Sequence, residues 1–389
     1  MVLRKSVIKR RFAAWSVWAV IGVPALSCQT LAAQDETKEA SPSVVLDPLV
    51  VTAQKQEENI QEIPASITAL SDVQIEDAGI RVTEDLIYQI PNLHMVKLSN
   101  HGSGSALSMR GISTVQGDLS MSPAVGFYVD DVYYSGGLDT QLLDLERIEV
   151  LRGPQGTLYG RNTEAGVINL ITRKPGNTFE GRASISYGDY NSQNYLISIG
   201  GPLIDDKLFL KFSGVYYLSD GYVDNRVIDN DDADDMDDKS LRTVLRWTPT
   251  DALDIDFTTE YLRFRDGRDN WSPSGDAYKT FTDFKGTEDT DSLGHALRAE
   301  YKGDLFILTS VSSFRNWQDD QYYDVDFIAL DIYRFALEQD FDTFTQEIRL
   351  ASPDNSGSLK WLGGVAAVEY ICIARIDCHA VGIIYFGSI

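Results

Sequence analysis

The sequence predicts an α+β domain followed by antiparallel transmembrane β-barrel strands. Three observations carry this. Residues 60–175 mix short helix-like and strand-like runs separated by glycine-rich turns. After Pro175 the chain alternates apolar and polar residues with the period of two that marks half-buried strands. The connections between those strands alternate as well, short turns with long polar loops. A soluble β-sandwich also alternates along its strands, but that asymmetry of connections belongs to an outer-membrane barrel.

The chain has 389 residues and a formal net charge of −24. This acidity excludes nucleic acid as a partner, because neutralising phosphates needs a basic patch. The N-terminal MVLRKSVIKRRF carries Arg4, Lys5, Lys9, Arg10 and Arg11 without an acid, and the apolar AAWSVWAVIGVPALS follows. That run is short for a membrane span and suits a signal peptide, so residues 1–33 read as a segment removed on export. Beyond it only Cys372 and Cys378 remain, close to the C-terminus. An exported chain with so few cysteines does not rely on disulfides.

Residues 34–58 read as a flexible tail with one apolar island, DPLVVTAQK. Pro48 discourages helix there, and Leu49, Val50, Val51 and Thr52 favour an extended segment. Two uses fit such a segment: an ordinary first strand, or a peptide that adds itself to the sheet edge of a partner.

Residues 59–176 form the α+β domain. ASITAL (65–70) alternates like a strand. Ser71 and Gln74 make a capping box for a short helix, DVQIEDAG, that ends at Gly79. Thr83 is placed to cap a second helix, EDLIYQI, which Pro91 stops. ALSMRGIS, AVGFYVDDVYYS, RIEVL and GVINLIT are then strands separated by turns.

Residues 177–365 supply the barrel strands. KLFLKFSGVYYL places Leu208, Leu210, Phe212, Tyr216 and Leu218 on one side and Lys207, Lys211 and Ser213 on the other. LDIDFTTEYLRF sets Leu253, Ile255, Phe257, Thr259 and Tyr261 against Asp254, Asp256, Thr258 and Glu260. Short turns fall at 201–207, 248–253, 302–304 and 353–358, and long polar loops at 219–240, 266–291 and 318–340.

Candidate chemistry is sparse. LRGPQGTLYGR (151–161) has the look of a phosphate loop, yet Gly156 and Gly160 are separated by three residues, Arg161 stands where such a loop has lysine, and a β-branched run follows instead of a helix. It reads as a glycine turn between two strands. DNDDADDMDD (229–238) lacks the spacing of an EF-hand and reads as a solvated outer loop. Cys372, Cys378 and His379 are too few and poorly spaced for zinc. No catalytic constellation stands out, so no enzyme activity, cofactor or metal is expected.

Signal peptide, LVVTA box, α+β domain ending in RIEVLRGPQGTLYGRNTEAGVINLITRKP, and alternating strands follow one another in an order that resembles a TonB-dependent outer-membrane receptor. The resemblance covers roughly residues 45–365. It implies a plug domain inside a barrel of about 22 strands, in the outer membrane of a Gram-negative cell and in contact with its lipid. It implies that Leu49, Val50, Val51, Thr52 and Ala53 form the TonB box, which pairs as a strand with the energy-coupling protein TonB. It also implies that Arg110-Gly111 and Arg152-Gly153 are plug motifs whose arginines pair with acids on the barrel wall. The function implied is energised uptake of a scarce small-molecule ligand: an iron chelate such as a ferric siderophore, else a cobalamin or an oligosaccharide.

The barrel text departs from that pattern. Eight alternating strands and the start of a ninth are countable, whereas about 22 strands would need more than twice the remaining length. Residues 366–389 lose the turns and the terminal aromatic, gain both cysteines, and read as an atypical, frameshifted tail. The expectation is therefore an incomplete and inactive copy of such a receptor. The alternative is a non-transporting periplasmic or surface binding module built on the plug domain.

Overall fold

The structure, a computed structural model, describes residues 50–52, 54–56, 58–97, 106–114, 122–134, 141–268, 275–353 and 360–380. The expected signal peptide, most of the tail, Leu49 and Ala53 lie outside the described residues.

The inner domain contains, in chain order, β1 (Val50–Val51), β2 (Glu58–Asn59), β3 (Ile67–Ser71), α1 (Asp72–Asp77), β4 (Leu93–Val96), β5 (Ala106–Met109), β6 (Ile112–Ser113), β7 (Val125–Val129), β8 (Val132–Tyr134), β9 (Leu145–Arg152), α2 (Gly156–Tyr159) and β10 (Gly166–Thr172). Five strands form its main sheet in the order β3-β9-β10-β7-β8. β7 and β10 are parallel neighbours and carry almost uninterrupted buried residues, as strands covered on both faces should. Phe127, Ile148, Val150 and Ile168 meet there at 0 % exposure. Gly166 permits the closest approach, since a Cβ at this position would run into the Leu151 carbonyl and the Met109 sulfur.

The capping box forms as expected. Ser71 Oγ accepts from the Gln74 N–H at 3.4 Å, and Gln74 Oε1 accepts from the Ser71 N–H at 2.9 Å. The second helix differs: residues 83–88 make a 3₁₀ segment, with Thr83 buried inside it. Asp85 takes over the cap, accepting from the N–H groups of Arg81 (2.7 Å) and Val82 (3.0 Å). The 151–161 turn contains one helical turn, α2, between the antiparallel neighbours β9 and β10.

The wall consists of β11 (Glu180–Tyr187), β12 (Gln193–Ile204), β13 (Leu208–Ser219), β14 (Asp224–Asn225), β15 (Met236–Thr250), β16 (Leu253–Gly267), β17 (Lys279–Thr280), β18 (Thr287–Lys302), β19 (Ile307–Asp324), β20 (Tyr333–Ala351) and β21 (Leu362–Ala380). Among the described residues, nine of these form one antiparallel meander, β11-β12-β13-β15-β16-β18-β19-β20-β21. β14 and β17 pair with each other inside two of the long loops.

The wall strands are turned inside out relative to a soluble protein. On β16, Asp256 (6 % exposed) and Glu260 (9 %) face the inner domain, while Phe257 (44 %) and Tyr261 (36 %) face away from it. On β18, Leu293 and Leu297 likewise face outward, at 45 % and 46 %. A sheet that buries its carboxylates and exposes its leucines makes sense only if its outer medium is apolar.

Two features differ from the sequence reading. The 318–340 loop is mostly strand, because β19 runs to Asp324 and β20 begins at Tyr333. Residues 366–380 do not leave the sheet: β21 pairs with β20 along its whole length, from Leu362↔Ala351 to Ala380↔Tyr333. The long free edge of β20 accounts for this, since backbone pairing needs no particular side chains. Val368 also packs against the inner domain, and Tyr370 and Cys372 pack against Leu262, Phe264, Trp317 and Phe341 of the wall.

Candidate functional site

The extended box segment is docked on the inner domain. Val50 and Val51 pair with Asn59 and Glu58. Val50 stays 44 % exposed, whereas Val51 is fully buried among Ile63, Tyr128, Leu151 and Val167. Thr52 closes the dock: its N–H donates to Glu149 Oε1 at 2.8 Å, and the same oxygen accepts from Arg147 Nε at 2.8 Å. Glu149 is itself fully buried. The ladder is only two residues long, so most of the hold comes from these side chains.

Lys55 is the second anchor. The Lys55 N–H turns back to the Thr52 carbonyl at 2.8 Å. Its ammonium lies 2.9 Å from Asp131 of the inner domain and 3.6 Å from Glu347 of β20. It also sits 4.5 Å from the ring centre of Tyr159 and 5.0 Å from that of Tyr128. A desolvated cation against two aromatic faces and a carboxylate is held strongly.

Asp130 and Asp131 form the tip of the β7–β8 hairpin. Both have positive φ, +49° and +71°, the conformation a two-residue hairpin turn demands and Asp tolerates. The tip presents two carboxylates to the wall. Asp130 pairs with Arg242 of β15 at 2.6 Å and also accepts from Thr172. Asp131 takes a two-pronged contact from Arg349 of β20, at 2.7 and 3.0 Å, and has Arg298 of β18 at 3.7 Å. Beside the hairpin, Tyr134 donates to Glu260 at 2.7 Å, Arg315 pairs with Glu260 at 2.6 Å, and the Arg315 guanidinium lies 4.0 Å from the Tyr134 ring centre. Further round, Asp144 pairs with Lys211 at 2.5 Å and accepts from Ser198, and Lys174 pairs with Asp256 at 2.6 Å.

The two arginine motifs lie together within the inner domain. Arg110 and Gly111 turn between β5 and β6, and the Arg110 guanidinium lies over Gly153, 3.3 Å from where a Cβ would stand. Arg152 ends β9, where its N–H donates to the Ser66 carbonyl at 2.9 Å. The ion pairs that join inner domain to wall among the described residues mostly run with the opposite polarity: domain carboxylates (Asp130, Asp131, Asp144) on wall cations (Arg242, Arg349, Lys211). Sequence reasoning missed Asp130, Asp131, Lys55 and Glu149. Only the first two carried a signal, a turn-favouring Asp-Asp between alternating apolar residues.

Burial alone would push the Asp131 carboxyl up, but Lys55, Arg349 and Arg298 outweigh it and hold it well below its ordinary range. Asp144 is likewise lowered, burial being outweighed by Lys211 and the Ser198 hydroxyl. A depressed carboxylate stabilises fully above its unfolded value and loses that contribution as pH falls through its folded value. The domain should therefore remain seated from neutrality down to about pH 4 and loosen only in stronger acid. Limited proteolysis of the β7–β8 region across a pH series checks this; loosening between pH 5 and 7 would contradict it.

Among the described residues, no group of three or more His, Cys, Asp or Glu side chains is placed to hold a metal ion.

A mixed α+β domain held by ion pairs against the inner face of a sheet with an apolar outer face is the arrangement of a plug on a membrane-barrel wall. Residues 59–167 match the family described as TonB-dependent Receptor Plug Domain. The pesticin receptor of Yersinia pestis is 28 % identical over 77 % of this chain and 43 % of its own. The iron-regulated outer membrane virulence protein of Vibrio cholerae is 33 % identical over 44 % of this chain and 27 % of its own. In fold, the ferric yersiniabactin uptake receptor of Yersinia pestis superposes with a TM-score of 0.75 at 22 % identity, covering 82 % of this chain and 50 % of that one.

Residues 59–167 thus carry the plug domain of the TonB-dependent receptors, and the chain is similar to receptor proteins over most of its length. It spans less than half the length of the curated relatives it matches. Its inner domain is the plug, and its nine paired strands are part of a barrel wall.

Proposed function

We propose that the chain carries the plug, the TonB box and the adjoining wall of a receptor that takes up a ferric siderophore across the outer membrane, driven by TonB. Leu49–Ala53 is the strand offered to TonB. The observation that carries this reading is the dock of Val50–Thr52: extended, half-open at Val50, and tied to the plug–wall network through Glu149 and Lys55. A pull on this segment first parts Thr52 from Glu149 of β9 and then draws Lys55 away from Asp131 and Glu347. Asp131 then loses one of the cations that hold the hairpin against Arg349. The pull thus weakens the plug's seat at the β7–β8 tip. The iron cargo is supported by relatives whose names record iron regulation or a ferric chelate.

Replacing Lys55 with methionine should release the box while leaving the plug folded. A nitroxide at position 50 reads this directly. Its spectrum should sharpen from immobile to mobile in the variant, and an unchanged spectrum would remove Lys55 from the latch.

A further inference from the structure

Three tyrosines from three separate outer-end connections meet on the loop side of the wall. Tyr190 is in the β11–β12 turn, Tyr222 in the β13–β15 loop and Tyr278 in the β16–β18 loop. The Tyr190 and Tyr222 rings lie 6.1 Å apart at 57°, and those of Tyr222 and Tyr278 5.9 Å apart at 74°. Although they touch one another, they stay 53 %, 45 % and 59 % exposed.

Their backbones are firmly placed. Asp234 Oδ1 accepts from the N–H groups of Tyr222 (2.8 Å) and Val223 (2.7 Å). The Asp224 N–H donates to the Tyr278 carbonyl at 3.0 Å, and β14 pairs with β17 beside it. Tyr190 itself has φ +55°. A bulky side chain pays in strain for that conformation, which glycine or asparagine adopts cheaply. The turn thus holds a ring where folding alone would favour a smaller residue.

The surroundings set the sign of what can bind. The windows 219–240, 266–291 and 318–340 hold 23 acidic and 6 basic side chains. Asp266, Glu288 and Asp319 continue the acidity down the inward face, each at most 3 % exposed. The wall cations Arg242, Arg349 and Lys211 are engaged by the plug carboxylates instead. An acidic mouth draws cations in and repels polyanions, and aromatic faces hold cations through their quadrupoles.

We propose that Tyr190, Tyr222 and Tyr278 form the platform on which the cargo first docks, and that this cargo is a cation with an apolar face. The proposal rests on the uptake reading and narrows its ligand to positively charged chelates.

The test uses the full chain in outer-membrane vesicles and three probes: a monocationic ferric trihydroxamate, a trianionic ferric tris-catecholate, and tetraphenylphosphonium, an aromatic cation without iron. The cationic chelate should bind at least about ten-fold more tightly than the anionic one at low salt, and the gap should shrink as salt screens the mouth. Tyr222→Ala and Tyr190→Gly should each weaken cation binding about ten-fold, while Tyr222→Phe, which keeps the ring, should not. Tyr190→Gly relieves the turn, so a loss there is not a folding defect. Equal or tighter binding of the anionic chelate, or indifference to ring removal, overturns the proposal. Ring-dependent binding of tetraphenylphosphonium without binding of either chelate upholds the platform and sinks the iron cargo. No binding of any cation, with cross-linking of the box to TonB intact, sinks the platform and leaves the uptake reading standing.

Discussion

Replacing Asp131 with alanine is expected to loosen the plug by about 3–5 kcal/mol, the cost of stripping one partner from a buried ion pair. Three cations converge on this one carboxylate: Arg349 by two hydrogen bonds, Lys55 at 2.9 Å and Arg298 at 3.7 Å. Arg349 and Lys55 have side chains only 8 % and 2 % exposed, so water cannot readily take over from the lost acid. Hydrogen exchange in β7, β8 and β10 should speed up together, because those strands share one sheet. The double variant Asp131→Ala with Arg349→Met should recover part of the loss, since it removes a stranded charge as well as its partner. A single variant that exchanges like the native protein would show that the hairpin tip does not hold the plug.

The second large effect is at the box. Val50→Pro should abolish photo-cross-linking between this segment and TonB. Proline removes the N–H that a partner strand would bond and fixes φ, so it interrupts a two-sided ladder. Val50→Ala keeps the backbone donor and should retain cross-linking, which separates backbone pairing from side-chain packing. A proline variant that cross-links undiminished would dispose of the assignment of Leu49–Ala53 as the TonB box.

Much of the fold was legible because its signals are local. The capping box at Ser71–Gln74 needs only four residues, and it forms where the sequence places it. Alternation in LDIDFTTEYLRF separates the two faces of β16 correctly, since a strand's period of two is fixed by its backbone. The short helix at 83–88 was less legible: Thr83 is buried inside it, and Asp85 reaches back to the N–H groups of Arg81 and Val82 ahead of it. The span of β21 was hidden for another reason. Its residues carry little wall patterning, and their strand form follows from the edge of β20 beside them.

The candidate site was legible in its extended segment and not in its lock. Val50 and Val51 announce an extended segment by composition. The partners of Lys55 and Asp131 lie far away in sequence, Asp131 and Arg349 being separated by 218 residues in number, and no local pattern encodes such a pairing. Which arginine of a basic, glycine-rich motif faces the wall is likewise a tertiary fact. Arg110 folds over Gly153 inside the plug, and acids on the hairpin tip meet the wall's cations.

On this reading the wall stands in lipid with its carboxylates turned in on a plug. Single nitroxides placed from Ser292 to Leu297 on β18, in outer-membrane vesicles, test it most directly through collision with oxygen dissolved in lipid. Alternation is expected: high collision rates at positions 293, 295 and 297, and low rates at 292, 294 and 296. Uniform rates along the strand, or recovery of the labelled chain in the soluble periplasmic fraction, would contradict it.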